Sequence, residues 1–524
     1  KARLQDRPGR TERVYQKSSV ITTPSVVPSQ GQSSRPKKKV LVVGAGHAGL
    51  FCALQLAQSG LVEPILLDRG QPVERRGRDI GALMHRMQMN GESNFAFGEG
   101  GAGTWSDGKL TTRIGRNSAN VRWILETLVE YGAPANILWE GAPHLGTDNL
   151  VRLLRNLRHD LEGRLGAQVH FGTKLTDIEL HPENPSMVHG IHVVASDPDG
   201  EISAPEFLTA DAVVLATGHS ARDVYETLAT RPKAIGKNGT ATSGICCLEP
   251  KGFAVGFRIE HPQKLITKIQ YGNEWGPTVL TGKRQTDLAN QEYFSSYMAS
   301  GKEEEEGGGE VKAHTGQLPV PSYRLATDKA RDGSSSDRLR GVYSFCMCPG
   351  GQIVPSSTNS SEICVNGMSF SKRDSLWANS ALVVTVFPDD PILDSYREKF
   401  GVMAGVEFQR DMERKAAELG GGTNLTVPVQ RVTDFIKGQI SETIPPSSYR
   451  LGVRSAPCHE IYPSAITEAL RDALVNHFDS QMPGYVHPDG LLHGVETRTS
   501  SPLRIARDSA TYQAKGMTNL FPAG

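Results

Sequence analysis

The feature that most constrains this chain is a glycine-rich turn placed between an apolar strand and a helix. Residues 40–43 form a continuous apolar run, which is typical of a parallel strand buried on both faces. The turn Gly44-Ala45-Gly46-His47-Ala48-Gly49 follows, and residues 50–58, rich in Ala and Leu, predict a helix. A second apolar run, residues 65–67, ends at Asp68. This order predicts a βαβ unit in a parallel sheet.

The spacing of the glycines indicates a dinucleotide ligand. Gly44 permits a tight turn, Gly46 lets the backbone approach a pyrophosphate, and Gly49 lets the helix pack closely on the strand. Asp68 follows Gly44 by 24 residues, where a carboxylate can accept hydrogen bonds from ribose hydroxyls. An ordinary glycine turn is the alternative, and we interpret His47 as a neighbour of the cofactor rather than a catalytic group. The candidate cofactor-binding residues here are Gly44, Ala45, Gly46, His47, Ala48, Gly49, Asp68 and Arg69.

The composition is that of a globular protein without a strongly charged partner. A chain of 524 residues is long enough for two or three domains, and its 57 basic and 57 acidic side chains cancel. We therefore expect no nucleic-acid partner. No apolar segment is long enough to cross a bilayer. Residues 1–37, rich in Ser, Pro, Gln, Lys and Arg, predict a flexible tail or linker, and the initial lysine indicates a processed or cut chain.

The seven cysteines are scattered and show no zinc-ligand spacing, so we predict no metal site and expect reduced thiols. Cys346-Met347-Cys348 is the closest pair apart from the adjacent Cys246-Cys247. Two residues apart in a strand share a face, so packing is the simpler interpretation and a redox role is the alternative.

A second glycine-dense stretch occupies residues 94–110. Gly98, Gly100 and Gly103 repeat the dinucleotide spacing, but no suitable strand precedes them and Thr-Trp-Ser-Asp-Gly follows where a helix should begin. We interpret the stretch as a loop whose backbone presses against a flat ring system. Its candidate cofactor-binding residues are Gly101, Gly103, Thr104, Ser106 and Lys109.

Residues 210–220 predict another buried strand that ends in a glycine turn, and such a strand end opens on the ligand crevice of a parallel sheet. Thr217 and Gly218 are therefore candidate cofactor-binding residues. His219 could be a base, although a structural role is the simpler interpretation. The arginine-rich segment 69–86 could place Arg69 near a phosphate or an acidic substrate, or form a solvated helix.

Periodicity predicts further helices, strands and loops. In the strand 253–262, Arg258 and Glu260 share a face, and a simple salt-bridged face is the plainer interpretation. We predict helices at 121–131, at 149–165 with Thr147 or Asp148 as N-cap, at 405–419 and at 465–478 with Ser464 as N-cap. The side chains of Glu407, Arg410, Glu413 and Arg414 are expected to form an exposed, ion-paired surface. Residues 301–310 and 328–337 predict mobile polar loops.

Together these motifs resemble the FAD-binding oxidoreductases of the glutathione-reductase-like superfamily. In that resemblance the first unit would hold ADP, Ala216-Thr217-Gly218 matches the second motif, and residues 520–524 match the start of the third, which makes Gly524 a candidate cofactor-binding residue. More narrowly, the chain is similar to an uncharacterised FAD-dependent dehydrogenase family of bacteria and plastids. The matching stretches are 98–113, 143–148, 258–262, 343–351, 366–373, 379–381 and 496–502.

The resemblance implies an α/β fold in which a glutathione-reductase-type FAD domain carries an inserted, mixed α+β substrate domain. We expect a tail at 1–37, the main part of the FAD domain at 38–245, the inserted domain at 246–490 with a mobile loop near 301–312, and a return segment at 491–524. The family continues beyond the last glycine with an acidic residue and another glycine-rich turn, and this sequence lacks that part of the flavin site.

The expected function is a FAD-dependent oxidoreductase that exchanges hydride with an unknown, apolar small molecule through the flavin. A single nucleotide fingerprint argues against a dedicated NAD(P)H domain, although NAD(P)H stays a candidate electron donor. The alternatives are a flavin-dependent RNA-modifying protein, suggested by the same first turn, and a non-catalytic assembly protein that retains the nucleotide fold. Plastid residence is expected from the family's plant members, with the cytoplasm as alternative. Catalytic residues and protein partners are not predicted.

Overall fold

The computed structural model describes residues 36–112, 114, 118–196, 202–230, 248–272, 320–327 and 340–523, together with two short strands near the start of the chain. Several expectations therefore fall outside the described residues: Gly524, the pair Cys246-Cys247, the loops at 301–310 and 328–337, and most of the tail 1–37.

Strands and helices are interspersed along the described residues. The strands are β1 (Gln5–Arg7), β2 (Arg10–Glu12), β3 (Lys38–Val43), β4 (Val62–Leu67), β5 (Gln168–His170), β6 (Thr173–His181), β7 (Asn184–Ala195), β8 (Glu206–Thr209), β9 (Ala212–Leu215), β10 (Leu248–Pro250), β11 (Phe253–Pro262), β12 (Val342–Pro355), β13 (Val365–Met368), β14 (Trp377–Val386), β15 (Val427–Arg431), β16 (Val453–Ser455), β17 (Leu491–Glu496), β18 (Leu503–Ile505) and β19 (Leu520–Pro522).

The α-helices are α1 (His47–Ser59), α2 (Val73–Arg86), α3 (Ala119–Glu130), α4 (Gly146–Gly163), α5 (Arg222–Thr230), α6 (Gln263–Tyr271), α7 (Asp394–Phe400), α8 (Ala404–Gly420), α9 (Val432–Lys437), α10 (Ser464–Asp472) and α11 (Asp479–Gln481). A π-helical segment, Ala473–Phe478, continues α10. Short 3-10 turns occupy Gly101–Gly103, Ala135–Leu138, Pro391–Leu393, Gly401–Met403 and Cys458–Glu460. None of the described helices is long and apolar enough to cross a membrane.

The first lobe is built on a five-stranded parallel sheet in the order β19-β9-β3-β4-β5. Successive residues of β3 are buried on opposite faces: Val40 and Val42 pack with α1 and α4, and Leu41 and Val43 pack with β6, β7 and α5. The predicted βαβ unit and its doubly buried strand are thus confirmed. Because all five strands are parallel, their carboxyl ends meet at one edge of the sheet.

The second lobe is built on a seven-stranded sheet in the order β13-β12-β14-β11-β17-β15-β16, with only β15 and β16 parallel. Its apolar core includes Phe257, Leu382, Phe408 and Phe435, all fully buried. The structure differs here from the expected domain boundary. Residues 491–496 form β17, which is hydrogen-bonded to β11 on one side and β15 on the other, so this strand belongs to the second sheet rather than to a return segment.

The residues predicted as N-caps of α4 and α10 lie inside these helices. Helix α4 begins at Gly146, and Thr147 and Asp148 lie in its first turn without capping it. They reach outward instead: Thr147 Oγ1 donates to the Ser106 carbonyl at 3.1 Å, and the Asp148 carboxylate accepts from the Ser371 backbone at 2.9 Å. Ser464 is likewise the first helical residue of α10 and no side chain caps that helix.

The expectation for the charged surface of α8 is wrong at one position. Glu413 is fully buried, with both Arg222 Nη2 and Arg498 Nη2 close to its carboxylate, at 2.7 Å and 2.8 Å. Arg222 lies on α5 of the first lobe, whereas Glu413 lies on α8 of the second. Buried ions need a partner of opposite charge, and this carboxylate has two, so the cluster joins the lobes by charge.

Arg258 and Glu260 share a face of β11, but they do not form the expected salt-bridged face. Arg258 Nη1 lies 3.1 Å from the Glu496 carboxylate, whereas Glu260 accepts the backbone N–H of Ser448 at 3.0 Å. Both side chains are buried. Burial raises the pKa of Glu260 to about 7, against the hydrogen bonds from Ser448.

We expect the stability conferred by Glu260 to fall as pH rises. Its folded-state pKa is above the ordinary value of 4.5, so between about 4.5 and 7 the native state holds a proton that the unfolded state releases. The free energy of unfolding of the wild type should drop relative to Glu260→Gln, on the order of 2 kcal/mol from pH 5 to pH 8, as measured by urea denaturation. His493 nearby has its pKa lowered to about 3 by burial and stays neutral in this range. Glu398→Gln, at an exposed position of α7, is the matched control; a pH-independent difference for Glu260→Gln would contradict the prediction.

Candidate functional site

A cleft opens at the carboxyl ends of β3, β4, β9 and β19, where the parallel sheet predicts a ligand site. Ten of the sequence-predicted site residues line it. These are Gly44, Gly46, His47, Ala48, Asp68, Arg69, Gly101, Gly103, Thr217 and Gly218. Ala45, Gly49, Thr104, Ser106 and Lys109 lie outside the lining.

The first glycine turn is held tightly by its neighbours. Gly44 has a φ of +105°, and a Cβ there would lie 2.4 Å from the Ala216 carbonyl oxygen. A Cβ on Gly49 would lie 1.8 Å from the Gly44 carbonyl oxygen. Gly46 is different, because the nearest atom to a Cβ there is Gly101 Cα at 3.9 Å. Gly44 and Gly49 are therefore required by packing, whereas packing leaves room for a side chain at Gly46, which lines the cleft.

The start of α1 fits a phosphate group. Its N-cap residue is Gly46, which offers no side-chain cap, and the first turn contains no acidic residue. The first N–H groups of a helix have no partner within the helix and carry the positive end of its dipole. In a helix of 13 residues this end is a ready anion site.

Asp68 closes the opposite side of the turn. It is buried, and its two carboxylate oxygens accept the backbone N–H groups of Ala45 and Gly70, both at 2.7 Å. Each oxygen keeps a lone pair that can accept a ribose hydroxyl. Burial raises the pKa of this carboxyl above its ordinary value, while the two N–H bonds and the nearby Arg76 and Arg69 oppose that effect.

The second glycine stretch forms the facing wall of the cleft and not a second nucleotide turn. Gly100 donates its N–H to the Ala45 carbonyl at 2.7 Å, and Gly46 and Gly100 form a parallel bridge. Gly98, Gly100 and Gly101 have φ values of +111°, +80° and +63°. Two backbones are thus held against each other, with almost no side chain between them.

Arg76 holds that wall, a role that the sequence did not reveal. The guanidinium is fully buried and donates to the carbonyls of Asn94, Glu99 and Phe95 at 2.8, 2.7 and 3.1 Å. It also lies over the Trp105 ring at 4.6 Å from the centroid. Nothing in its sequence neighbourhood distinguishes it from the exposed arginines of α2, because its partners lie 18–23 residues further along the chain.

The polar residues of the same loop turn inward. Thr104 is buried and donates to the Glu99 carbonyl at 3.0 Å, and Ser106 donates to the Gly103 carbonyl at 2.6 Å. Both hydroxyls thus brace the loop, and cofactor binding by these two residues stays a prediction.

Arg69 and His219, which both line the cleft, have protein partners. Arg69 pairs with Asp223 and lies over the Phe97 ring at 4.6 Å from the centroid. His219 bonds the Arg498 carbonyl through Nε2 at 2.9 Å, and burial lowers its pKa. Burial, with Arg76 adding to it, lowers the pKa of His47 as well.

Beyond Gly103 the loop carries a charged cluster that reaches the second lobe. Asp107 is fully buried, lies 3.1 Å from Lys109 Nζ and accepts Arg373 Nε at 2.9 Å and the Ser369 hydroxyl. Burial alone would raise the pKa of Asp107, but the Arg373 hydrogen bonds and the charge of Lys109 hold it below the ordinary value. Lys109 therefore lies at the junction of the lobes rather than in the cleft lining. Among the described residues, no three His, Cys, Asp or Glu side chains are grouped so as to hold a metal ion.

Comparison with known proteins identifies a cofactor of this chain. Residues 39–77 match a family described as an FAD binding domain, and residues 309–499 match one described as "FAD-dependent protein, C-terminal domain-like". An uncharacterised protein of Clostridium beijerinckii is 36% identical over 497 residues, which are 93% of this chain and 76% of that protein. The cofactor is thus FAD. The start of α1 at Gly46 fits its pyrophosphate, and the Asp68 carboxylate fits its ribose.

Some solved structures match this chain at low identity and low TM-score. CtdE in complex with FAD is 9% identical, with 93% of this chain and 77% of that chain covered and a TM-score of 0.26. Adenylylsulfate reductase from Archaeoglobus fulgidus is 12% identical, with 51% and 48% covered and a TM-score of 0.24. Aklavinone-11 hydroxylase with FAD and aklavinone is 17% identical, with 44% and 39% covered and a TM-score of 0.20. This chain thus spans less than half the length of the last two proteins.

Proposed function

This chain belongs to the same family of FAD-dependent proteins as its Clostridium relative, and from that premise we propose that it is an oxidoreductase acting on a small molecule at the junction of its two lobes. The arrangement that carries the proposal is the pair of facing glycine segments, bridged at Gly46 and Gly100 across the carboxyl edge of the parallel sheet. When bound, FAD supplies the capacity to take up or release a hydride.

The chain's own residues bind and orient. The start of α1 at Gly46 would hold the pyrophosphate and Asp68 the adenosine ribose, as in the glutathione-reductase-type arrangement that the sequence resembles. The second glycine wall, held by Arg76, would guide the flavin end toward the junction, where Asp107, Lys109 and Arg373 meet. Ala96 and Phe97 line the cleft and would exclude water from it.

An absorption spectrum of the purified protein, before and after incubation with FAD, tests this proposal. We expect flavin bands and release of FAD on denaturation, because the helix start at Gly46 fits the pyrophosphate of FAD and Asp68 fits its ribose. Anaerobic addition of NADH or NADPH would then show, by bleaching of the flavin band, whether a nicotinamide is the electron donor. A folded, colourless protein that takes up no FAD would overturn the proposal and favour the assembly-protein alternative; turnover of an RNA substrate would favour the RNA-modifying one.

We propose plastid residence on the family's plant members, with the cytoplasm as alternative, and microscopy of the tagged full-length protein distinguishes the two.

A further inference from the structure

Two cysteines lie at a distortion of β12 in the second lobe. The pairing of β12 with β14 shifts register between Phe345 and Cys348, and Cys346 has a φ of +46°, in the left-handed region that favours glycine. Neither cysteine is in a disulfide; Cys348 is fully buried and Cys346 is partly exposed, next to Phe345, whose side chain is 45% exposed. A non-glycine residue in this backbone region costs free energy, and such residues cluster at functional sites.

Both cysteines are held by a buried cation. Arg258 Nη2 donates to the Cys346 carbonyl at 2.7 Å and lies 3.3 Å from the Cys348 sulfur. The same guanidinium faces Glu496, with Nη1 3.1 Å from the carboxylate. Packing alone would place apolar side chains around a thiol, whereas a buried guanidinium stabilises a thiolate.

The two thiols differ in acidity. A hydrogen bond from Cys348, with the charges of Arg258 and Lys109, lowers the pKa of Cys346 to about 5. The same hydrogen bond and burial raise the pKa of Cys348. A partly exposed cysteine of lowered pKa beside a buried thiol is the arrangement that thiol–disulfide exchange requires, with one sulfur attacking and the other resolving.

We propose that Cys346 and Cys348 form a redox-active pair that exchanges two electrons with a disulfide substrate. The Cys346 thiolate attacks one sulfur of the substrate disulfide, a mixed disulfide forms and one substrate thiolate leaves. Cys348 then gives up its proton and attacks the Cys346 sulfur, so that the second substrate thiolate leaves and an internal disulfide remains. The substrate gains two electrons and the pair loses them. Return of the pair to the dithiol by reduced FAD rests on the proposed function.

Glutathione disulfide and mass spectrometry of the purified full-length protein test the pair. In the wild type we expect loss of two hydrogen atoms from the peptide containing both cysteines, and in Cys348→Ser a stable glutathione adduct at Cys346. Reduced Cys346 should also react with iodoacetamide at pH 7 at least about tenfold faster than Cys52, a partly exposed thiol of α1 whose pKa burial raises. Cys52→Ser is the matched control and should leave the internal disulfide unchanged.

The proposal is overturned if the wild type forms no internal disulfide or if Cys346 reacts no faster than Cys52. Bound FAD is quantified in the same samples from its absorption. Internal disulfide formation without bound FAD would support the thiol pair and count against the oxidoreductase proposal, and FAD binding without the disulfide would do the reverse, so the two failures are distinguishable.

Discussion

Gly46→Val should abolish most FAD binding while leaving the protein folded. The backbone at Gly46 is extended, with φ −67° and ψ 174°, a conformation that valine adopts readily, and a Cβ there meets protein only at 3.9 Å. The added side chain therefore occupies the space into which the pyrophosphate must come. We expect a loss of about hundredfold in affinity, which corresponds to about 2.7 kcal/mol, measured by titration of apoprotein with FAD.

The matched control is Gly81→Val in α2, where a Cβ meets nothing within 4 Å and no ligand is expected. Gly44→Ala provides the opposite comparison, because its Cβ would collide with the Ala216 carbonyl and should disrupt folding itself. Wild-type FAD affinity in a folded Gly46→Val protein would show that the pyrophosphate does not bind at this turn.

Glu413→Gln should destabilise the protein by roughly 3–5 kcal/mol, since it removes the carboxylate that two buried guanidiniums share and leaves only Glu362, 3.5 Å from Arg222 Nη1, as a counter-charge. The carboxylate accepts Arg222 at 2.7 and 2.8 Å, Arg498 at 2.8 and 3.1 Å, and the Thr497 hydroxyl at 2.6 Å. Burial opposes ionisation of Glu413, but the two arginines hold its pKa well below the ordinary value. Its stabilisation is therefore complete above the unfolded-state pKa of about 4.5 and is lost as pH falls below it.

Urea denaturation at pH 7 measures the loss, and Glu418→Gln on the exposed side of the same helix is the control, expected within about 0.5 kcal/mol of wild type. Because Arg222 belongs to the first lobe, Glu413→Gln should also separate the unfolding of the two lobes into distinct transitions. A loss below about 1 kcal/mol would mean that the buried cluster is replaced by water or by a local rearrangement.

What the sequence predicts well is local. The unit from β3 to Asp68 is confirmed because its strands, turn and helix lie within one short stretch, where each residue's neighbours are its sequence neighbours. Glu413 shows the opposite case. Its spacing from Arg410 and Arg414 is that of an exposed helix surface, but its partners Arg222 and Arg498 are 191 and 85 residues away. No pattern within α8 could reveal them.

The candidate site divides in the same way. The glycines that face the cleft follow from a fingerprint, whereas the hydrogen bonds by which the Thr104 and Ser106 hydroxyls brace their loop do not. In an irregular loop the residue type does not tell which way a side chain points. The hydrogen bonds of such a side chain depend on the path of the backbone. The boundary at 491 failed for a related reason: β17 reaches its place between β11 and β15 only through long-range pairing.

The order of strands in the first sheet has a consequence for synthesis of the chain. Strand β9 pairs with β3 on one side and with β19 on the other, and 305 residues separate Leu215 from Leu520. At roughly 5–20 residues per second, a ribosome would leave that side of β9 unpaired for roughly 15–60 seconds. Its residues Ala212-Val213-Val214-Leu215 would form an apolar, uncovered strand edge during that time, the kind of edge on which chains aggregate. Expression with a chaperone that covers such edges should therefore raise the soluble yield.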